Sequence, residues 1–211
     1  MMLRAEHSRL ARAYSLFAIS YLLISGCTHA IPRIGMQGRY LEGKDQFLRG
    51  RGGDMGNAIV ALESVVREDP TYKDSLTLLG RAYYRAGRYQ DAYAILQRAV
   101  AVNKNDEIAW LVLGLTELKL GQNQKGLETV KGGITLLSKA SVKGYRDYED
   151  WDSKNLVRSS IQRTAFLAAK GLEEKDNLLR AAETLLVRID DEENFQRIDS
   201  MQEYRRGYTS Q

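Results

Sequence analysis

Cysteine, histidine and proline are scarce in this chain of 211 residues. The one cysteine, Cys27, leaves no second thiol for an internal disulfide. The two histidines, His7 and His29, both lie near the N-terminus. Residues 30 to 211 therefore hold neither a His/Cys metal site nor a histidine-based nucleophilic triad. The two prolines, Pro32 and Pro70, leave long stretches without the residue that most strongly interrupts helices. No P-loop is present, because "GRGG" at 50–53 lacks the following Lys-Ser/Thr. Carboxylates are numerous, but no spacing singles out a catalytic pair. Neither sign of charge dominates. The net charge is +4, and basic residues alternate with acidic ones. That is a solvated surface rather than the concentrated basic face of a nucleic-acid binder. With 44% hydrophobic and 27% charged residues the bulk composition is that of a folded domain.

What the chain does contain begins at its N-terminus. Arg4, Arg9 and Arg12 precede a mostly apolar run, "AYSLFAISYLLI" at 13–24, and then Ser25, Gly26 and Cys27. A positive start, an apolar core of ~7–15 residues and small residues at the cut make a secretory signal. The core is shorter than the ~20 residues of a membrane span. Ile24, Ser25, Gly26 and Cys27 resemble the lipobox of bacterial lipoproteins. The resemblance implies diacylglycerol on the Cys27 sulfur, cleavage before Cys27 and acylation of the new amine. Residues 1–26 are then a signal peptide. Two or three acyl chains anchor stably where one does not, at ~0.8 kcal/mol per buried CH₂. Thr28, rather than Asp, follows the cysteine. By resemblance this implies the periplasmic face of the outer membrane if the host is Gram-negative. Residues 27–40 read as a lipidated tether, since Pro32, Gly35 and Gly38 interrupt any helical stripe.

The middle of the chain repeats. "LTLLGRAYYRAGRYQDAYAILQRAV" begins at Leu76 and "WLVLGLTELKLGQNQKGLETVKGGI" at Trp110, an offset of 34. At that step Leu79 matches Leu113, Gly80 matches Gly114 and Gly87 matches Gly121; one step back, Gly53, Ala58 and Leu62 match Gly87, Ala92 and Leu96. The pattern resembles the tetratricopeptide repeat, W-x₂-L-G-x₂-Y followed by A-x₃-F. Leu76, Leu79, Gly80, Tyr83, Ala92 and Leu96 follow it closely, whereas Glu117 stands where the next repeat would have tyrosine. The array covers about 41–140, with the best repeat at 73–106 and the next at 107–140. The first helix of the preceding unit, around 42–52, fits poorly. The resemblance implies an all-α fold, a short solenoid of antiparallel helix pairs. Small Gly80, Ala92 and Ala99 would let paired backbones approach. Gly87 and Gly121 stand where a left-handed residue ends a helix, and Asn105-Asp106 offers an N-cap. The helix at about 124–138 carries Gly126, Gly132 and Gly133, each costing ~1 kcal/mol relative to alanine, and must lean on its neighbours.

Residues 141–153, "SVKGYRDYEDWDS", break the pattern as an aromatic and acidic loop. Tyr145, Tyr148 and Trp151 are either a recognition patch or packing over the end of the array. Residues 154–204 read as a capping helix pair, because a solenoid cannot leave its last apolar face in water. Val157, Ile161 and Ala165 mark the first of these helices. Leu178, Ala182, Leu185 and Ile189 mark the second, which continues past "DDEEN" with Phe195, Ile198 and Met201. Residues 205–211 are a tail.

In the family the sequence resembles, the first helix of each repeat lines a groove. The resemblance implies Thr77, Arg81, Tyr84 and Arg85 in one repeat, and Ile108, Leu111, Leu115, Leu118 and Lys119 in the next. Such a groove is cationic and aromatic at one end and aliphatic at the other. It suits a peptide with an acidic group and apolar side chains, unless the C-terminal helices cover it. The function expected is a lipid-anchored envelope scaffold that binds another envelope protein, in assembly of a membrane, secretion or pilus-type complex. No enzyme activity, cofactor, metal or nucleic acid is expected. The alternatives are a non-catalytic subunit of an envelope enzyme complex, or a structural lipoprotein that self-associates through its long C-terminal helix.

Overall fold

The computed structural model describes residues 35–140 and 151–209, the side chains at 51 and 200–209 excepted. The signal peptide, Cys27 and most of the tether lie outside the described residues, as do Tyr145 and Tyr148. Among the described residues there are eight α-helices and no strand: α1 (Met36–Leu48), α2 (Met55–Glu68), α3 (Ser75–Arg85), α4 (Tyr89–Val102), α5 (Glu107–Lys119), α6 (Asn123–Ala140), α7 (Leu156–Lys170) and α8 (Lys175–Thr209). Each odd helix packs antiparallel on the even one that follows, and each pair stacks on the next. The fold is an all-α helical solenoid.

Local chemistry sets these boundaries. The side chain of Asp54 accepts the Asn57 N–H at 3.0 Å to start α2, and that of Asp106 accepts the Ala109 N–H at 2.9 Å to start α5. α3 and α5 end in the same turn. Gly87 and Gly121 have φ of 73° and 80°. Arg88 N–H donates to Tyr83 C=O at 2.9 Å and Gly87 N–H to Tyr84 C=O at 3.0 Å; one repeat later Gln122 donates to Glu117 at 2.9 Å and Gly121 to Leu118 at 3.2 Å. This double bond satisfies the last free carbonyls and reverses the chain. Small residues then set how closely helices pair. A Cβ on Gly80 would lie 2.5 Å from the Leu96 side chain, and one on Gly114 2.5 Å from the Val130 nitrogen. Ala92 and Leu96 are fully buried beside them.

The structure departs from the sequence reading at four places. α1 begins at Met36, so residues 36–40 are helix and not tether, and the helix expected at 42–52 ends at Leu48. Its glycines are tolerated because Gly43 lies against Leu62 of α2, while the Tyr40 hydroxyl bonds Asp74 before α3. α7 begins at Leu156 rather than 154, because Asp152 accepts the N–H groups of Val157 and Arg158, both at 2.8 Å, across a left-handed Asn155. α8 runs through the expected tail to Thr209; its 35 residues contain no proline. Among the described side chains the apolar stripe of α8 stops at Ile189, and the Met201 side chain lies outside them. Phe195 and Ile198 are exposed, and the buried positions that follow are Asp190, Glu193 and Gln196. The 35 residues of α8 span about 52 Å at ~1.5 Å each. That length carries it back from α7 across α5 to α1.

Candidate protein-binding groove

The first helices α1, α3 and α5 present a row of charged and aromatic side chains, and α8 lies along it. On α3, Arg81 is 3% exposed. Its guanidinium donates to Glu193 at 2.7 Å and to Asp190. Arg85, one turn later, bonds the other Asp190 oxygen and donates to the Phe47 carbonyl at 3.1 Å. Both guanidinium groups stack on the Phe47 ring, at 4.9 and 4.1 Å from its centroid. Burial, with Arg81 alongside, pulls the Arg85 pKa down to about 10.

The row continues on both sides. The Tyr84 hydroxyl donates to Glu183 at 2.9 Å, and Lys119 on α5 reaches the same carboxylate at 2.8 Å. Burial first, and then the Glu183 charge, pushes the Tyr84 hydroxyl far above an ordinary phenol. The hydrogen bond to Glu183 raises the Lys119 pKa. At the α1 end the sign reverses: Arg197 of α8 donates to Asp45 at 2.6 Å. Read from α5 to α1 the array offers cation, cation, anion, and α8 answers with Glu183, then Asp190 and Glu193, then Arg197. A cavity of about 160 Å³ remains between α3 and α8, with Phe47, Tyr84, Val112 and Leu186 in its wall.

Of the residues singled out in the sequence, Arg81, Tyr84, Arg85 and Lys119 converge on α8. Thr77 does not, because its hydroxyl donates to the capping carboxylate of Asp106 at 2.6 Å, within the array. Ile108, Leu111, Leu115 and Leu118 are buried, with at most 1% exposed. The Leu118 side chain lies where a Cβ on Gly126 would meet it, so it serves the pairing of α5 with α6. The sequence reading missed Phe47, Asp45 and Val112. Phe47 stands one 34-residue step before Arg81, so carrying the period into α1 would have found it.

Glu117, where the repeat pattern has tyrosine, is fully buried, with Lys125 Nζ at 2.9 Å from its carboxylate. Lys125 also donates to the Tyr93 hydroxyl at 2.8 Å, which together with Glu117 raises its pKa. Among the described residues no group of three or more His, Cys, Asp or Glu could hold a metal, and no helix is long and apolar enough to cross a membrane.

Comparisons with known proteins find a likeness over part of the chain. The family profile described as Tetratricopeptide repeat matches residues 52–129, which take in α2 through α5 and the start of α6. A solved structure described as "Crystal structure of MamA" is 22% identical, with a TM-score of 0.48 over 74% of this chain and 79% of that one. A second, "Crystal structure of MamA protein", is also 22% identical with a TM-score of 0.48, over 73% of each chain. No curated protein matches the sequence.

Proposed function

We propose that this protein is a lipid-anchored scaffold of a bacterial envelope whose helical array binds another envelope protein. The observation that carries the reading is the recurrence, 34 residues apart, of one helix pair with one turn, in the segment that matches the tetratricopeptide repeat. Repeats of this kind cannot bury their faces singly and are extended by stacking, which leaves a long surface for a second chain. The charged, sequence-specific lining of the first helices favours recognition over catalysis. The lipobox at Ile24–Cys27 supplies the anchor, and supports a place at the periplasmic face of the outer membrane in a Gram-negative host.

Labelled fatty acid fed to cells should enter the wild-type protein and not the Cys27→Ser variant. Cross-linking in intact envelopes should then couple the acylated chain to a reproducible set of other proteins. Label in the variant, or an acylated chain that couples to nothing but itself, contradicts the proposal.

A further inference from the structure

α8 consists of two unlike halves. From Leu178 to Ile189 its buried positions are apolar, and Leu178, Ala182, Leu185 and Ile189 are fully enclosed. From Asp190 to Asp199 no apolar side chain is buried; the only two present, Phe195 and Ile198, are 58% and 42% exposed. This half meets the array through charge, with Asp190 and Glu193 on Arg81 and Arg85 and Arg197 on Asp45, and it meets the start of α7 where Glu192 accepts the Asp152 N–H at 3.2 Å. Buried ion pairs contribute little net stability, because desolvation offsets their attraction, but they discriminate sharply among partners. The first half is therefore fixed by burial, while the second is held by contacts that another helix of the same charge order could replace at little cost.

We infer that the α1–α3 end of the groove is a docking site for an acidic amphipathic helix of a partner protein, and that residues 190–199 of α8 occupy it in the partner's absence. This rests on the scaffold reading above and gives it a ligand class. The partner carries two carboxylates three residues apart and a basic residue four further on, the spacing of Asp190, Glu193 and Arg197. At helical periodicity these fall on one stripe. The two carboxylates meet Arg81 and Arg85 above the Phe47 ring, and the base meets Asp45. The order of signs also fixes direction, since a helix entering backwards would bring its base to Arg81 and a carboxylate to Asp45, both repulsive. Only the second half of α8 lifts, which gives up the Glu192 bond to the Asp152 N–H before α7 and leaves the array and the buried apolar half of α8 in place.

Hydrogen exchange on the full chain tests the inference, with a helix-stabilised peptide of residues 187–199 as the probe. Without peptide, amides of 190–199 should exchange at least about tenfold faster than those of 178–189, as a separate opening unit. Saturating peptide should speed 190–199 further and leave 178–189 unchanged. A peptide with Asp190→Asn and Glu193→Gln should bind about tenfold more weakly or worse, as should one in which the Asp190 and Arg197 side chains trade places. Equal protection along the whole of α8 overturns the inference, as does equal competition by the neutral peptide. Light scattering that shows a dimer built by exchange of α8 also overturns it, in favour of a second copy of this chain as the occupant. The readout needs neither acylation nor an envelope. Failure of the lipid-anchor test therefore leaves this result standing, and failure here leaves the anchor untouched.

Discussion

Two buried polar residues carry most of the chemistry that the repeat pattern does not explain. Arg81 holds two carboxylates of α8 while its plane rests on Phe47, an arrangement that lysine, with a point charge and no planar fork, would not reproduce. Glu117 replaces a tyrosine of the pattern and meets Lys125 instead of packing as a ring. In the preceding repeat the tyrosine is kept, and Tyr83 donates to Glu63 at 2.5 Å. Burial and that carboxylate push the Tyr83 hydroxyl up to about 12. Unfolded tyrosine ionises near pH ~10, so between those values the unfolded chain binds fewer protons than the folded one, and stability falls as pH rises. Tyr83→Phe removes this titration. Urea midpoints at about pH 9 and about pH 11 should differ less for the variant than for wild type. An unchanged difference would show that Tyr83 ionises as freely in the folded chain as in the unfolded one.

At the scale of helices, much of the array is legible in the amino-acid sequence alone. Gly87 and Gly121 mark the ends of α3 and α5 because no other residue enters the left-handed turn so readily. Asp106 marks the start of α5 because its carboxylate meets a free N–H there. The start of α1 is not legible, since Gly43 is accommodated against Leu62 of α2 and Tyr40 is tied to Asp74, contacts that local sequence does not display. The three glycines of α6 separate by environment. A Cβ on Gly133 would sit 2.6 Å from the Leu111 backbone nitrogen, and one on Gly126 2.8 Å from that of Leu118, while Gly132 faces open space. Gly132→Ala should therefore stabilise the chain by ~1 kcal/mol through helix propensity alone. Gly133→Ala should destabilise it by ~1–3 kcal/mol, by forcing α5 and α6 apart. Urea denaturation of the two variants checks both signs, and a gain at both positions would mean that α6 does not pack on α5 as described.

For the molecule as a whole, the decisive feature is the course of α8. Its sequence pattern makes this helix an end cap; the structure makes it a cover as well, running over the first helices of the array. Its apolar stripe is readable as far as Ile189, because periodicity reports burial on one helix. Its contacts with the groove are not readable, because they join residues far apart in sequence: Arg81 and Asp190 are separated by 109 positions, Asp45 and Arg197 by 152. No periodicity within either helix announces such a pair. The resemblance singles out Arg81, Tyr84, Arg85 and Lys119 on α3 and α5, and their partners on α8 come into view only with the fold. A double-mutant cycle on Asp45→Ala and Arg197→Ala, read by urea denaturation, tests this course most directly, because the pair joins the end of α8 to the first helix of the array. A coupling of about 1 kcal/mol is predicted for a partly buried pair in contact. Effects that add to within ~0.3–0.5 kcal/mol would place the two side chains apart and contradict the account.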